Sequence, residues 1–277
     1  MNVKITNNDL LLFKYLFECD FLTREHINNF LWDFRSKSTN KVRLWKLHKA
    51  NYIKKLRDPL NITDSKSVIA GTDLALETLK SNDDTLKNLS RKDIFELIYV
   101  DPKEYRVIEE LNYNQIRHDY FLSELRFRME NFGASHWYPD NLMHRKKMYN
   151  KIPDGTFKSR GRTFAVELEK TLKKNYSYKR IFAQYDNEDK IDFVIYVFIG
   201  KDSEMLYENL KERKLKRSFY RDNFKDNWIA DGRISDDFYK KFYLIKYKDI
   251  KNGNLETKNY QLKDIKDLKI AFSYPPN

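Results

Sequence analysis

The sequence is poor in cysteine, in glycine and in long apolar runs. Cys19 is the only cysteine, which excludes an internal disulfide and a cysteine-ligated zinc site. With only 7 glycines and neither GxxxxGK[ST] nor GxGxxG, we expect no phosphate-cradling loop and no nucleotide cofactor. No run approaches the roughly 20 apolar residues of a membrane span, and the first residues lack a signal-peptide cleavage pattern. We therefore expect a cytoplasmic protein without a membrane partner.

Histidine motifs that hold catalytic metals are missing as well. The five histidines show neither HxH nor HExxH spacing, which argues against a histidine-metal relaxase or a zincin. Nineteen tyrosines are present, and without a metal-holding histidine cluster none of them can be singled out as a nucleophile.

Basic and aromatic residues are abundant. The chain carries 53 Lys and Arg against 41 Asp and Glu, a formal net charge of +12. Hydrophobic residues make up 41%, which is enough for a real core and argues against a wholly disordered chain. An excess of positive charge favours a polyanionic partner, and we predict DNA rather than a membrane surface.

Residues 1–80 show the pattern of three short helices followed by a β-hairpin and a further helix. The apolar positions of the third helix include Leu44 and Leu47, and Asn51 follows as a residue that tolerates the left-handed conformation at a helix end. Three helices and a hairpin predict a winged helix-turn-helix domain, whose third helix normally enters the major groove of DNA. The predicted N-caps are Asn7 or Asn8, Thr23, and Ser38 or Thr39.

The third predicted helix and the strand after it are strongly basic. Residues 36–57 contain eight Lys and Arg and no acid. A charge run of this kind is often only a solvated face. Because this one coincides with the winged-helix pattern, we predict that it contacts DNA, through Lys41, Arg43, Trp45, Lys46, Lys49, Lys54 and Lys55.

After a polar, helical connector at 81–114, the pattern changes to that of an α/β domain at 115–277. An amphipathic helix near 115–132 comes first, and three short extended runs follow it, HWYPDNLM, KIPDGTF and RTFAVELE. A basic helix and the apolar run FVIYVFIG come next, the latter typical of a strand buried on both faces. A helix near 203–216 and the strand KFYLIKY complete the domain. If RTFAVELE and FVIYVFIG are parallel, we expect their crossover to be right-handed.

Three acids lie close together in the extended runs. Asp154 follows Pro153 at a turn, and Glu167 and Glu169 share one face of the next strand because strand side chains alternate. Two acids on one face of an apolar strand are costly to bury unless a cation or a lysine compensates them. Convergence of Asp154 with both would create an oxygen site for a hard divalent ion, most plausibly Mg²⁺. Such an ion activates water and neutralises charge on a phosphate.

Pro153-Asp154, Glu167-Leu168-Glu169 and the basic helix after them resemble the core of the PD-(D/E)xK nuclease superfamily. Together with the winged helix, the chain is similar to the replication-relaxation proteins of plasmids and integrated mobile elements, over roughly residues 5 to 200. The resemblance implies a restriction-endonuclease-like α/β domain in a DNA-binding protein that acts in replication, relaxation or transfer, with Mg²⁺-dependent nicking or endonuclease activity. It implies Asp154, Glu167 and Glu169 as metal ligands and, together with Lys170, as catalytic residues.

One position departs from that pattern. Glu169 stands where the superfamily usually has a lysine, and Lys170 would face the other way in a regular strand. By the resemblance, Lys170 or Lys173 would meet the scissile phosphate, and Glu124 on the preceding helix is a candidate fourth acid. The predicted DNA contacts beside the acids are Lys173, Lys174 and Arg180.

Other interpretations of the acidic stretch stay open. Asp154-Gly155 is a common hairpin turn, and Glu167 and Glu169 would then pair with lysines on an exposed strand face. The corresponding functional alternative is a transcriptional or replication regulator without catalysis, in which the C-terminal domain serves binding or homodimerisation.

Overall fold

The computed structural model describes residues 3–33, 35–58, 61, 67–87, 100–159, 161–170, 175–200 and 242–251. The fold is mixed α/β, and the chain divides into two compact units, Met1–Asn131 and Phe132–Asn277. None of the helices within the described ranges is long and apolar enough to cross a membrane. The helix expected near 203–216 lies outside these residues.

Over its described residues, the first unit contains helices and a two-stranded antiparallel sheet. Its sheet is the expected hairpin, with Ile53 opposite Gly71 and Arg57 opposite Ser67. A π-helical turn at Ile27–Leu31 continues the second helix, and a 3-10 turn lies at Pro102–Glu104. The elements in chain order are α1 (Asn7–Glu18), α2 (Arg24–His26), α3 (Lys37–Lys49), β1 (Ile53–Arg57), β2 (Ser67–Gly71), α4 (Asp73–Ser81), α5 (Asp83–Lys87) and α6 (Ile116–Asn131).

Two of the three predicted helices begin earlier than the sequence pattern predicted. Helix α1 is capped by Thr6, not by Asn7 or Asn8, and the Thr6 amide donates to Asp9 at 2.8 Å in a reciprocal capping box. Helix α3 is capped by Ser36, not by Ser38 or Thr39. Several neighbouring side chains can supply a capping oxygen, and only the backbone conformation decides which of them does.

The other expected features of these helices are confirmed. The Thr23 hydroxyl accepts a hydrogen bond from the His26 amide at 3.0 Å and caps α2. Leu44 and Leu47 of α3 are buried, and Asn51 has a left-handed φ of 62°.

Helix α6 belongs to the first unit, whereas the sequence pattern predicted it at the start of the second domain, 115–277. Its Arg126 Nη2 donates to Glu18 Oε2 of α1 at 2.6 Å, and its Glu130 accepts from the Tyr15 hydroxyl at 2.7 Å. All four side chains are buried. The division of the chain therefore falls after this helix, because a buried charged network ties the helix to α1.

The second unit contains a five-stranded sheet in the order β3-β4-β5-β6-β7. The pairs β3-β4 and β4-β5 are antiparallel, and the pairs β5-β6 and β6-β7 are parallel. The expected meander is therefore present, and the parallel connection from β5 to β6 runs through a helix. The elements are β3 (Ser135–Pro139), α7 (Asp140–Lys146), β4 (Gly155–Ser159), β5 (Arg162–Glu169), α8 (Asn175–Asp186), β6 (Phe193–Phe198), β7 (Phe242–Lys246) and α9 (Tyr247–Lys251).

The run HWYPDNLM is extended only as far as Pro139, and its second half is helix α7. Asp140 lies in the first turn of that helix, where its Oδ1 accepts from the Asn141 amide at 2.7 Å. A negative charge in the first turn stabilises a helix, because it interacts favourably with the positive end of the helix dipole. The expectation of a fully extended run was therefore wrong.

The two faces of the large sheet differ in chemistry. One face carries a row of aromatic rings that crosses all five strands, with neighbouring ring centroids 4.9 to 5.9 Å apart. On the other face, Phe182 and Tyr185 of α8 are buried, and the Phe182 ring lies 6.3 Å from that of Tyr196 on β6. Helix α8 thus covers the acid-bearing face of β5. The members of the aromatic row are Trp137, Phe157, Phe164, Phe193 and Tyr243.

Candidate functional site

Helix α3 presents a basic and partly apolar face to solvent. Val42 and Trp45 are 53% and 52% exposed, so two large apolar residues lie beside the lysines of this helix. A groove of about 360 Å³ runs along part of this face. It is lined by Arg35, Ser38, Thr39, Val42, Arg43 and Lys46.

Four of the predicted DNA contacts are exposed and uncompensated cations. Within the described ranges, none of them makes an ion pair with an acid. Their positive charge is therefore available to a polyanion. These residues are Lys41, Lys46 and Lys49 on α3 and Lys55 on β1. Lys54 differs, because its Nζ donates to Glu109 at 2.7 Å, although the Glu109 side chain is 77% exposed and the pair is weak.

Arg43 is held inside the first unit. Its Nε donates to Asp9 Oδ1 at 2.9 Å, its Nη2 donates to Asp9 Oδ2, and the same Nη2 donates to the Lys4 carbonyl at 2.8 Å. Asp9 is fully buried, and its hydrogen bonds raise the pKa of Arg43. Arg43, which the sequence predicted to contact DNA, thus fixes α3 against α1.

Asp154 is fixed beside strand β5. Its amide donates to the Val166 carbonyl at 3.0 Å, and its Oδ2 accepts from the Leu168 amide at 2.6 Å. Gly155 begins strand β4, and the connection to β5 contains Gly161 with a left-handed φ of 71°. The alternative interpretation of Asp154-Gly155 as the hairpin turn is therefore wrong.

Glu167 and Glu169 are both buried, at 5% and 1% exposure, so the interpretation as an exposed strand face is also wrong. Glu167 Oε1 accepts from Lys151 Nζ at 2.6 Å and from the Tyr185 hydroxyl of α8. Glu169 Oε2 accepts from the Tyr196 hydroxyl of β6 at 2.9 Å. The two carboxylates therefore have different partners, although they point to one face of β5.

Burial governs the electrostatics of this site. It raises the pKa of Glu167 above its ordinary value, because water no longer solvates the carboxylate. The Lys151 ammonium opposes this rise, and the negative charge of Asp154 adds to it. The same burial, together with Glu167, raises the pKa of Tyr185 well above its ordinary value. Asp154 and Glu167 are therefore electrostatically coupled.

The three acids do not fit the expected three-carboxylate Mg²⁺ site in this arrangement. Asp154 and Glu167 interact, but Lys151 and Tyr185 donate to Glu167 Oε1, and Tyr196 donates to Glu169 Oε2. Over the described ranges, no group of three or more His, Cys, Asp or Glu side chains is arranged to hold a metal ion.

The remaining predicted site residues belong to different elements of the chain. Lys170 follows the end of β5 and is half-buried, and Arg180 is exposed on α8. Glu124 lies in the first unit, where its Oε1 pairs with Arg128 at 2.6 Å. Lys173 and Lys174 lie outside the described residues.

No protein-family model, curated protein or solved structure matches the chain.

The sequence pattern did not predict three contacts of the acidic site, Lys151, Tyr185 and Tyr196. The sequence did indicate that a cation such as Lys151 lies near these acids, because a buried acid in an apolar strand requires a cation. Gly155 pairs with Val166 in the antiparallel hairpin, and the same register continued backwards brings the residues before Gly155 alongside the end of β5. Tyr185 had no such signal, since it is one of 19 tyrosines in the sequence.

Proposed function

We propose that the protein is a cytoplasmic DNA-binding protein of a plasmid or other mobile element, acting in replication, relaxation or transfer. In this proposal the first unit is a winged helix-turn-helix domain, α3 is the helix that enters the major groove, and β1-β2 is the wing. The observation that carries it is the set of exposed lysines on α3 without acidic partners in the described ranges.

Three features of α3 support this assignment. Its buried side, with Leu44 and Leu47, and the Arg43–Asp9 pair hold the helix rigidly, so its outer face is organised before binding. Its exposed lysines provide phosphate contacts, and phosphate neutralisation supplies most of the affinity of such proteins. The exposed Val42 and the hydroxyls in the groove are groups that contact base edges.

Binding of duplex DNA at several salt concentrations tests the proposal. We expect Lys46→Gln with Lys49→Gln to weaken binding by about tenfold or more near 0.1 M salt. The slope of log K against log salt should fall by roughly 2, because two phosphate contacts are lost.

The control for this experiment is Lys103→Gln with Lys158→Gln. It makes the same change in net charge, at two exposed lysines that lie outside α3 and β1. If both double variants bind DNA as tightly as the unchanged protein, α3 is not the DNA-contacting element. The same conclusion follows if the two double variants lose the same amount of DNA affinity.

A second candidate function is Mg²⁺-dependent nicking by the second unit, as a PD-(D/E)xK-type domain. It is favoured by the electrostatic coupling of Asp154 to Glu167 and by the order of β4, β5, α8 and β6. Against it stands the Lys151–Glu167 pair, which favours a non-catalytic regulator whose second unit serves binding or dimerisation.

Supercoiled plasmid incubated with Mg²⁺ or Mn²⁺ separates the two candidates. Cutting by the unchanged protein that disappears in both Asp154→Asn and Glu167→Gln supports the nickase. DNA binding without any cutting by the unchanged protein supports the regulator.

A further inference from the structure

The exposed face of α3 has an apolar centre between cations. Six exposed residues form two neighbouring rows along the helix, because residues four apart lie one turn above each other. The middle position of each row is apolar, and a lysine lies one turn beyond it. The rows are Ser38, Val42 and Lys46 in one, and Lys41, Trp45 and Lys49 in the other.

The two apolar residues are neighbours on this face. Val42 and Trp45 are three residues apart, and each has about half of its surface exposed. Lys41 and Lys49 lie on either side of them, roughly 12 Å apart along the helix axis. A partner that covers this face must therefore offer an apolar group between negative charges.

Duplex DNA has this combination in its major groove. The C5-methyl of thymine is the apolar group that the bases present there, and it lies between the phosphates of the two strands. A protein partner fits less well, because lysine is depleted at the centre of protein–protein interfaces. Charge complementarity with the surrounding lysines thus favours a thymine methyl as the group that covers Val42 and Trp45.

Val42 is the better placed of the two to contact a single methyl group. It lines the groove of about 360 Å³ together with the hydroxyl-bearing Ser38 and Thr39. Its side chain is branched at Cβ, so its two methyl groups are held in one preferred orientation on the helix. Leu44 and Leu47 bury the opposite side of α3. Val42 therefore presents a rigid apolar surface that loses little entropy on contact.

We propose that Val42, with Trp45 beside it, contacts the C5-methyl group of a thymine in the major groove and makes the affinity of α3 for DNA depend on that methyl. The inference rests on the proposed function of α3. It adds a residue that selects among base pairs, whereas the lysines contact phosphates of any sequence.

Binding of the full-length protein to two alternating duplexes tests the proposal. One duplex contains deoxyadenosine and thymidine, and the other contains deoxyadenosine and deoxyuridine, which lacks only the C5-methyl group. The lysine contacts contribute equally to both, because the phosphates are the same. We expect the unchanged protein to bind the thymidine duplex about fourfold more tightly, which is the factor that burial of one methyl group supplies.

Replacement of Val42 should remove this preference. Val42→Ser has no methyl groups, so we expect it to bind the two duplexes equally. It should bind the deoxyuridine duplex as tightly as the unchanged protein, with the same slope of log K against log salt, because no cation is lost. Val42→Ile retains a branched apolar side chain and should keep the preference for thymidine.

Leu74→Ser is the matched control. Leu74 is another exposed large apolar residue of the first unit, and it lies on α4. Its replacement should leave the preference for thymidine unchanged. Thermal melting of each variant confirms that it is folded.

The proposal is overturned if the unchanged protein binds both duplexes equally, or if Val42→Ser keeps the full preference for thymidine. An equal loss of preference in Leu74→Ser would overturn it too, since the effect would then not be specific to Val42.

Lys46→Gln with Lys49→Gln, measured on the same two duplexes, distinguishes this failure from failure of the proposed function. If the double variant weakens binding to both duplexes while the unchanged protein shows no preference, α3 contacts DNA and only the methyl contact is wrong. If the double variant binds both duplexes like the unchanged protein, the proposed function of α3 fails, and the methyl contact fails with it.

Discussion

Arg43 of α3 and Asp9 of α1 form a forked ion pair, in which Arg43 Nε donates to Asp9 Oδ1 at 2.9 Å and Nη2 donates to Oδ2. Asp9 at the same time accepts from the Thr6 amide and closes the cap of α1. One buried carboxylate thus fixes both the start of α1 and the position of α3. The orientation of the proposed DNA-contacting helix depends on this pair.

We therefore expect Arg43→Met to weaken DNA binding without changing its salt dependence. The variant leaves Asp9 buried without its guanidinium partner, at a cost of about 3 kcal/mol in the free energy of unfolding. Because Arg43 contacts Asp9 and not phosphate, the slope of log K against log salt should stay constant. Lys46→Met is the comparison variant. Its slope of log K against log salt should fall by about 1, because one phosphate contact is lost. A similar fall in Arg43→Met would show that Arg43 contacts phosphate after all.

The buried network between α1 and α6 should dominate the stability of the first unit. Arg126 donates to Glu18 and Glu130, and all three side chains are buried. Arg126→Met removes the guanidinium that Glu18 and Glu130 share and leaves Lys14 as a cation beside Glu18, and we expect a loss of about 3 kcal/mol in the free energy of unfolding. Chemical denaturation measures this loss. Arg128→Met is the matched control, since the Arg128 side chain, which pairs with Glu124 on the same helix, is 22% exposed. An equal effect of the two variants would contradict the importance of the network.

His26 should make the first unit sensitive to acid. Burial lowers the pKa of His26 to about 4; the charge of Glu124 opposes this shift, and that of Arg128 adds to it. The unfolded state, with a pKa near 6.5, therefore binds the proton first. The stability contributed by neutral His26 is complete above about pH 6.5 and is lost as the pH falls toward 4, by up to about 3 kcal/mol.

His26→Gln tests this dependence. Glutamine cannot titrate, yet it can still accept the Thr23 amide hydrogen bond that His26 Nδ1 accepts at 3.4 Å. Between pH 6.5 and 4, the melting temperature of the unchanged protein should fall more steeply than that of the variant. Parallel curves would assign the acid sensitivity to the carboxylates alone.

Gly155 should not tolerate a side chain. A Cβ at this position would lie 2.5 Å from Cζ2 of Trp137, whose ring is buried and stacks on Phe157 at 5.9 Å. We expect Gly155→Ala to cost about 1 to 3 kcal/mol, because the Trp137 ring or strand β4 must shift. Lys158→Ala, at an exposed position of the same strand, should change the unfolding free energy by less than about 0.5 kcal/mol. Equal stability of the two variants would show that Trp137 can move freely.

Much of the architecture was predictable because it depends on local pattern. The spacing of Leu44 and Leu47 predicted the buried side of α3, Asn51 predicted its end, and the uninterrupted apolar run at 193–198 predicted a buried strand. The element boundaries were less predictable. The hydroxyls of Ser36, Ser38 and Thr39 are chemically alike, so composition could not distinguish the cap from its neighbours.

The sequence by itself determined the basic character of α3, the alternation that puts Glu167 and Glu169 on one face of β5, and the need for a cation beside a buried acid. These features follow from net charge, side-chain periodicity and the cost of desolvation, which act over a few residues. Only the tertiary structure decided that Arg43 pairs with Asp9, that α6 joins the first unit, and that Lys151 is the cation that Glu167 receives. Each of these depends on which distant side chains share a buried, weakly solvated space, and residue types alone do not specify those partners.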